Sequence, residues 1–254
     1  VKVLRGEIGT EVDMKIFRPS TAQVDELTLM RQDIKVASVK GAEMLENGIG
    51  YVRITQFNQP TADLLQESID SLREEGLKAL VLDLRDNPGG LLSSAIEVSQ
   101  KFLPPKAMVV YTQGRHPHDR KTYEARGPNH YIEMPVAILI NGGSASASEM
   151  VSGALQDHKR AILVGVRSFG KGSVQSVLPL EDGSAVRLTT AKYYTPSERV
   201  IHGNGIEPDI SVPVDGEVWQ KLMLQRSQPK GYVPGEGEEN LSNVRDEQLE
   251  RAID

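Results

Sequence analysis

Residues 136–149 read VAILINGGSASASE, a run of five apolar residues followed by two glycines and a cluster of small side chains. Five apolar residues bounded by turn formers are consistent with a strand buried on both faces. A strand that passes through glycines into a helix leaves backbone N–H groups pointing outward at the helix N-terminus, where the helix dipole favours negative charge. The stretch therefore predicts a strand over Val136–Ile140, a helix opened by residues 144–149, and an anion-favouring turn between them.

The same alternation of strands and helices extends to both sides of this stretch. Apolar residues at helical spacing predict helices over 61–75 and 91–102, with Thr61 as the N-cap of the first and Gly76 as its stop. Strands that alternate with helices predict a mostly parallel sheet with helices on its faces. Short apolar runs indicate the other strands of that sheet, at 49–54, 79–84, 108–112 and 161–165.

The segments before and after this strand–helix alternation follow different patterns. Residues 173–180 and 184–193 alternate like the strands of a hairpin, so a β-rich region is expected beside the α/β sheet. Alternating apolar residues in the first thirty-odd positions predict two short antiparallel strands. From Val218 onward the sequence predicts a helical stretch, a linker rich in Pro, Gly and Glu at 229–239, and a final charged helix.

The composition excludes several classes of function. The 254 residues are 39% hydrophobic and 25% charged, which suffices for a globular core, and no apolar run approaches the roughly 18 residues of a membrane span. A net charge of -6 without a basic stripe argues against nucleic acid as a partner. The absence of cysteine excludes thiolate catalysis and Cys-ligated zinc. Because the chain begins with Val1 rather than Met and ends within a helical pattern, we expect it to be a fragment of a longer protein.

Ser146 lies where the predicted turn meets the predicted helix. Backbone N–H groups at such a position form an oxyanion site beside the serine hydroxyl. Ser146 and Glu149 also have the spacing of a capping box, in which both side chains only satisfy free amides at the helix start. Taken alone, this motif favours the capping interpretation over a nucleophilic serine.

A nucleophilic serine needs a base, and histidine is the usual one. A Ser/His/Asp triad stays open, although none of the five histidines has a context that singles it out. Lys171 is the alternative, because glycines flank it among small and apolar neighbours and because burial disfavours the ammonium form of a lysine. Lys171 and Gln175 would share one strand face, so that the Gln175 amide could orient the amine. The competing interpretation is a loop lysine in solvent. The histidines are His116, His118, His130, His158 and His202.

Two further motifs carry weaker hypotheses. A stretch that ends at Gly172 follows the spacing of a P-loop, but a Ser or Thr should stand at that position to bind Mg²⁺, and a strand follows instead of a helix. His116 and His118 resemble a metal-binding pair, yet their exposed loop offers no third ligand. Neither motif supports a nucleotide or metal site.

The turn over residues 85–90 follows the strand predicted at 79–84. The carboxyl ends of strands are where open α/β sheets place their sites. The simplest role of residues 85–90 is to form a tight turn, but Gly89 and Gly90 would also let backbone N–H groups face a ligand.

Four motifs, in this order and spacing, resemble those of the C-terminal processing peptidases, also called tail-specific proteases, a family of Ser/Lys endopeptidases. Four matched motifs are far more specific than any single one, and the resemblance covers about residues 1–214. The motifs are LDLRDNPGG at 82–90, SASASE at 144–149, GKGSVQ at 170–175 and GNGIEPD at 203–209.

The resemblance implies a role for each matching residue. Ser146 would be the nucleophile, Lys171 the general base, and Gln175 the residue that orients the lysine. Backbone amides beside Ser146 would form the oxyanion hole, and no metal or organic cofactor is implied. These amides belong to Ala147 and to one residue of the turn formed by Gly89 and Gly90.

The resemblance also implies a fold and a division of the chain. We expect an α/β peptidase core of the ClpP/crotonase type at 32–214, with a mixed sheet flanked by helices and a β-rich cap region. Residues 1–31 are similar to the last strands of a PDZ domain, without its carboxylate-binding loop. Residues 215–254 would form a linker and a helical C-terminal tail.

The implied partners are protein or peptide substrates with a free, nonpolar C-terminus. Members of this family act outside the cytoplasm, in the periplasm, cell envelope or thylakoid lumen, and often form homodimers, so we expect both properties here. Two alternatives from other classes stay open. One is a catalytically inactive peptide-binding scaffold, in which Ser146 caps a helix and Lys171 lies in solvent. The other is an acyl-CoA hydratase-like enzyme, for which the sequence offers no evident acid/base carboxylate.

Overall fold

The computed structural model describes residues 3–18, 21–33, 37–127, 131–228, 232, 239–241 and 243–254. The chain divides into two compact units, Val1–Ala37 and Ser38–Asp254. The division falls a few residues after the predicted end of the N-terminal segment at residue 31. The C-terminal residues belong to the second unit together with the predicted core.

The N-terminal unit contains two antiparallel strands, β1 (Glu11–Arg18) and β2 (Gln23–Met30). Both were predicted from the alternating apolar residues. The Arg31 guanidinium donates hydrogen bonds to the Val3 and Glu11 carbonyl oxygens, at 2.9 and 2.7 Å. These bonds tie the start of the chain to the strand pair. That this unit derives from a PDZ domain stays a prediction.

The strands of the second unit form two sheets. The six-stranded sheet has the order β12-β9-β8-β5-β4-β3 and is parallel except for β3 at its edge. The four-stranded sheet, β10-β11-β6-β7, is antiparallel throughout. The described strands are β3 (Val39–Met44), β4 (Ile49–Ile54), β5 (Ala79–Asp83), β6 (Met108–Gln113), β7 (Lys121–Glu124), β8 (Val136–Ile140), β9 (Ile162–Gly165), β10 (Ser173–Pro179), β11 (Ala185–Tyr194) and β12 (Ile210–Ser211).

The sheet and its helices confirm the predicted α/β class, with a mixed sheet and a β-rich region. Strands β4 and β8 have the predicted bounds, whereas β3, β7 and β12 were not predicted. The expectation that the strand at 108–112 joins the parallel sheet was wrong, because β6 pairs with β11 and β7 in the antiparallel sheet. Each of these three lies at a sheet edge, is short, and has too few apolar residues for a periodic signal. The helices are α1 (Thr61–Glu74), α2 (Leu92–Gln100), α3 (Ala147–Asp157), α4 (Gly216–Ser227) and α5 (Glu247–Ile253).

Helix α1 illustrates how the apolar pattern positions these elements. Leu65, Ile69 and Leu72 repeat at helical spacing and are buried in the main core. The helix ends before Gly76, whose φ of 96° suits glycine. The predicted N-cap was wrong by one residue: Thr61 is the first helical residue and Pro60 precedes it. The Thr61 hydroxyl instead bonds Ser38 Oγ at 2.9 Å.

Helix α3 lies at the centre of the fold. Its residues from Ala147 to Leu155 are all buried, and it packs against α2. A helix enclosed on all sides is held rigidly because every face contacts protein. Residues at its N-terminus are therefore fixed in position.

The C-terminal segment is not simply a tail. Helix α5 packs on strands β8 and β9, and the Gln248 amide donates to the Val212 carbonyl oxygen at 2.8 Å. Most of the predicted linker at 229–239 lies outside the described residues. In the described part of the chain, no helix has the length and apolar character needed to cross a bilayer.

Candidate active site

Two turns meet at the carboxyl edge of the six-stranded sheet. Strands β5 and β8 are parallel neighbours, so the turns that follow them lie side by side. Asn87 joins these turns: its carbonyl oxygen accepts from Ala145 N and from Ser148 Oγ, both at 2.9 Å. The Asn87 amide donates to the Ile54 carbonyl oxygen at 2.8 Å. The Asn87 carbonyl thus holds one turn against the other, and its fully buried side chain anchors the first turn to β4.

A second set of bonds closes the same junction. The Asp86 N–H donates to Asn141 Oδ1 at 2.9 Å, and the Asn141 amide donates back to Asp86 Oδ1 at 3.0 Å. The Ser144 hydroxyl donates to the Leu84 carbonyl oxygen at 2.8 Å. Ser144 and Ser148 are therefore structural hydroxyls, as expected for neighbours of the candidate nucleophile.

Ser146 has a strained backbone conformation at the start of α3. Its φ of 56° and ψ of -111° lie in a region that residues other than glycine seldom adopt. Such strain is concentrated at functional sites, where the surrounding packing holds it in place. The residue is half-buried, on a sharp strand-to-helix turn of the kind that presents a nucleophile.

The Gly89 turn lies directly against this serine. A Cβ atom on Gly89 would stand 2.8 Å from the Ser146 Cβ and 2.8 Å from the Ala147 amide nitrogen. Gly89 also has a φ of 95°, which favours glycine. Both the space and the backbone conformation therefore require glycine here.

The predicted oxyanion donors were the amide of Ala147 and one amide of the Gly89–Gly90 turn, and the three amides differ in their hydrogen bonds. The Ala147 N–H makes no hydrogen bond within the described residues. The Gly89 N–H, in contrast, already donates to Asn87 Oδ1 at 2.9 Å. The Gly89 carbonyl accepts from Phe57 N at 2.9 Å, so the trans peptide directs the Gly90 N–H away from Phe57. Ala147 and Gly90 thus have the amides that the described chain leaves unengaged.

Glu149 is the central hydrogen-bond acceptor of the site. Its side chain is fully buried and accepts four hydrogen bonds. One oxygen, Oε1, accepts from Ser168 Oγ and Gly170 N, both at 2.6 Å. The other, Oε2, accepts from the backbone N–H groups of Ser146 and Lys171, both at 2.8 Å. The sequence predicted only the capping contact with Ser146, since the loop at 168–171 is remote along the chain.

Lys171 has a fixed backbone and an exposed side chain. Its N–H is held by Glu149, and the neighbouring Gly172 packs so tightly that a Cβ there would stand 2.4 Å from His202 N. The Lys171 amine makes no hydrogen bond with any described residue. The structure therefore places the lysine beside Ser146 through its backbone, while its amine is in solvent.

Gln175 is exposed and is not bonded to Lys171. Its amide donates to Thr189 Oγ1 at 2.6 Å and to Ser173 Oγ at 3.4 Å. A β-bulge shifts the β10–β11 register between Val174 and Gln175. Both bonds use the Gln175 amide nitrogen, and the amide oxygen, which would accept from the lysine amine, makes no hydrogen bond with Lys171 in this arrangement.

The described histidines do not form a triad with Ser146. The His116 and His118 rings stack with centroids 5.3 Å apart in the β6–β7 loop. His158 Nε2 lies 2.7 Å from the Met108 carbonyl oxygen, and His130 is outside the described residues. Among described residues, no cluster of three or more His, Cys, Asp or Glu side chains could hold a metal ion.

Comparison with known proteins assigns the family. The family described as Peptidase family S41 matches residues 48–212, which is more than half of the chain. The chain belongs to peptidase family S41. This S41 match includes all the residues of the candidate site, and the family resemblance predicted from the four motifs is confirmed.

Two similar proteins are named for a proteolytic activity. The chain is 44% identical over 245 residues to the carboxy-terminal-processing protease of Bartonella bacilliformis, covering 94% of this chain and 56% of that protein. It is 39% identical over 211 residues to the carboxyl-terminal-processing protease of Synechocystis, covering 81% of this chain and 48% of that protein. The chain spans about half the length of these relatives.

A solved structure of the same kind supports the fold. The photosystem II D1 C-terminal processing protease superposes with a TM-score of 0.64 at 32% identity, covering 82% of this chain and 57% of that one. The S41 peptidase core predicted from the sequence is thereby confirmed as the fold of this chain.

Proposed function

We propose that this chain is the catalytic part of a serine-type endopeptidase that processes the C-terminal tails of proteins. Two relatives with 39% and 44% identity are named for that activity. The predicted site residues lie within the region that matches the S41 family. Ser146 is the proposed nucleophile and Lys171 the proposed general base.

The observation that carries the proposal is the shared contact with Glu149. The amide nitrogens of Ser146 and Lys171 each lie 2.8 Å from the same oxygen atom, so they are at most twice that distance apart. The four-carbon stem of a lysine is long enough to bring its amine to the Ser146 hydroxyl from there. The proposal therefore requires a rotation of the Lys171 side chain and no movement of its backbone.

The proposed reaction has two steps. The Ser146 Oγ attacks the substrate carbonyl carbon while the Lys171 amine takes the hydroxyl proton and then gives it to the leaving amine, so that the peptide C–N bond breaks and an ester on Ser146 forms. Water, deprotonated by the same amine, then attacks the ester carbonyl carbon, the C–O bond to Ser146 breaks, and the amine returns the proton to Ser146 Oγ. The Ala147 and Gly90 amides would stabilise the oxyanion in both steps, an effect worth roughly 10²- to 10³-fold in rate per donor.

The lysine must change its surroundings for this reaction. A general base has to be neutral, and removal from water favours the neutral form of a lysine. Since the Lys171 amine is in solvent here, we infer that bound substrate covers it and turns it toward Ser146. Gln175, released from Thr189, would then orient the amine.

Nonpolar tails are the proposed substrates. Leu91, which follows the Gly89–Gly90 turn, and Phe169, two residues before Lys171, are 50% and 67% exposed. The Phe169 backbone is fixed next to the site, since its N–H donates to the Ser144 carbonyl oxygen at 3.0 Å. An extracytoplasmic location and a homodimer remain expectations from the family resemblance.

The exposed Lys171 amine also supports the alternative of an inactive peptide-binding scaffold. In that function Ser146 would only cap α3 and Lys171 would stay in solvent. The two functions differ in one measurable respect, because a scaffold binds a peptide and leaves it intact.

The test is cleavage of an unfolded protein with a nonpolar C-terminus, detected by mass spectrometry. The parent chain is compared with Ser146→Ala and Lys171→Ala, and with Lys192→Ala as a control. Lys192 is also an exposed lysine, on β11, opposite Ser173 in the strand register. We expect fragments from the parent and the control only, with all four proteins folded. Equal cleavage by either site variant would remove that residue from the mechanism, and binding without cleavage by all forms would favour the scaffold.

A further inference from the structure

A buried cluster of charges lies behind the Gly89–Gly90 turn. The Arg85 side chain has no exposed surface, and its guanidinium stands between two carboxylates. Its Nη2 atom donates to Asp83 Oδ2 at 2.7 Å, and Nη1 and Nη2 donate to the two oxygens of Asp246 at 2.8 Å each. A two-point contact of this kind fixes the orientation of a guanidinium as well as its position.

The C-terminal segment supplies half of this cluster. Asp246 lies at the start of α5, and Gln248 Oε1 accepts from Arg85 Nη1 at 3.1 Å. From α4, Arg226 donates to Asp246 Oδ2 at 2.6 Å, and the Trp219 ring centroid lies 5.2 Å from Arg85 Cζ. Helices α4 and α5 thus enclose the arginine that precedes the turn.

The cluster is balanced in charge. Two arginines, Arg85 and Arg226, face two aspartates, Asp83 and Asp246. Loss of Asp246 alone would leave an uncompensated positive charge beside the fully buried Arg85 side chain, which is strongly unfavourable. The Arg85 N–H and Nε both donate to Asp83 Oδ1, at 2.9 and 3.0 Å, so a displacement of the guanidinium also disturbs the contact that holds the Arg85 backbone.

Such a movement would displace residues of the candidate site, because Asn87 follows closely in the chain. Two residues after Arg85, the Asn87 carbonyl oxygen holds Ala145 N and Ser148 Oγ, which lie on both sides of the proposed nucleophile. The Asn87 side chain holds the Gly89 N–H. A shift of the turn therefore changes the spacing between the oxyanion amides and the serine.

We propose that Asp246 is a positioning residue of the active site and that helices α4 and α5, with the Asp246 cap, complete that site by fixing Arg85. The effect on rate rests on the proposed peptidase function, whereas the effect on the turn does not. Misplacement of the reacting groups by about 1 Å can cost roughly 100-fold in rate. For Asp246→Asn we expect a loss of this order in kcat with KM unchanged, because no residue that touches substrate is altered.

Amide hydrogen exchange measured by mass spectrometry provides a readout that is independent of activity. In Asp246→Asn we expect exchange to be roughly tenfold faster in residues 86–91 and 144–149, which carry the bonds to Asn87. The matched control is Glu250→Gln on the same helix, where the partly exposed carboxylate pairs with Arg245 at 2.6 Å. This control should exchange and cleave like the parent.

Two further variants keep the test decisive. Asp246→Glu retains the charge and should recover part of the lost kcat. If Asp246→Asn fails to fold, Arg226→Gln loosens Asp246 while Arg85 keeps both carboxylates, and a smaller change in the same two segments is expected.

The outcomes separate the two proposals. Faster exchange in both segments with a parent that cleaves nothing would support the positioning role and contradict the peptidase function. Unchanged exchange in a folded Asp246→Asn would overturn the positioning role, whether or not the parent cleaves. Unchanged kcat despite faster exchange, in an active parent, would also overturn it.

Discussion

Gly89 and Ser146 lie so close together that a Cβ atom on the glycine would stand 2.8 Å from the Cβ atom of the serine. The turn after β5 and the turn after β8 are thus in van der Waals contact at the point where the proposed nucleophile is presented. Any side chain on Gly89 must displace one turn from the other.

We expect Gly89→Ala to lose roughly 100-fold in kcat and roughly 2 kcal/mol in the free energy of unfolding. The added methyl group meets backbone atoms that cannot rotate away, and alanine is strained at this positive φ. Peptide cleavage and urea unfolding measure the two effects. Gly142→Ala is the matched control, because a Cβ on Gly142 meets nothing within 4 Å. Equal losses in the two variants would contradict the assigned contact.

We expect Glu149→Gln to break the contacts that hold the backbones of Ser146 and Lys171 to one side chain. An amide has one acceptor oxygen, so it cannot accept the four hydrogen bonds that the carboxylate accepts. Leaving buried donors unpaired is expected to cost roughly 3 kcal/mol in the free energy of unfolding and most of the activity. Thermal unfolding and peptide cleavage are the measurements. The control is Glu207→Gln, since Glu207 is an exposed carboxylate 3.7 Å from Arg167 Nε. A Glu149→Gln protein as stable as the parent would refute the role of Glu149 as the central hydrogen-bond acceptor of the site.

The proposed role of Gln175 can be tested against its observed partner. If Gln175 orients Lys171 during the reaction, Gln175→Ala lowers kcat and leaves the melting temperature nearly unchanged, because the side chain is exposed. Thr189→Val removes the hydroxyl that now holds the Gln175 amide, and it should leave kcat unchanged or raised. An equal fall of kcat in Thr189→Val and Gln175→Ala would instead show that Gln175 acts by stabilising the β10–β11 hairpin.

Acid should destabilise the chain through the cluster around Arg85. Burial alone would raise the pKa of Asp83, but the charge and hydrogen bonds of Arg85 outweigh burial and hold that pKa below its usual 3.8. The pKa of Asp246 is likewise lowered: burial opposes the change, and Arg85 and Arg226 outweigh it. Groups whose pKa is lowered on folding stabilise the native state above the pKa of the unfolded chain. That stabilisation is lost as the pH falls through the folded-state pKa.

Urea unfolding between about pH 6 and about pH 2 measures this effect. The free energy of unfolding should be constant at the upper end and decline below about pH 4. In Asp246→Asn the decline should be shallower, because one of the titrating groups is gone. A pH dependence identical to that of the parent would show that Asp246 is not stabilised by the cluster.

Local patterns were sufficient to predict most of the fold. The apolar run at 136–140 and the helical spacing of Leu65, Ile69 and Leu72 depend only on neighbouring residues, and both elements are present. The edge strands β3, β7 and β12 were not predicted because short, half-exposed segments lack a periodic pattern. Their pairing is decided by the strand beside them.

The site was predicted only in part, because some of its contacts join residues that are far apart in the sequence. Glycines and small residues around Ser146 indicate a sharp turn, and the Glu149 spacing indicates a cap. The contact of Glu149 with the loop before β10 depends on tertiary structure, as does the Asp246 contact with Arg85. No pattern in the sequence around residue 246 distinguishes a helix cap from a partner of a buried arginine.

The hydrogen bond between Arg85 and Asp246 spans 161 residues of sequence. During synthesis the ribosome must therefore produce nearly the whole second unit before this buried arginine meets its second carboxylate. Contacts between such distant residues form late and slowly in folding, because a long loop has to close first. We expect a nascent chain to pass through synthesis with the proposed active site unfinished, which would protect both the chain itself and the proteins made beside it.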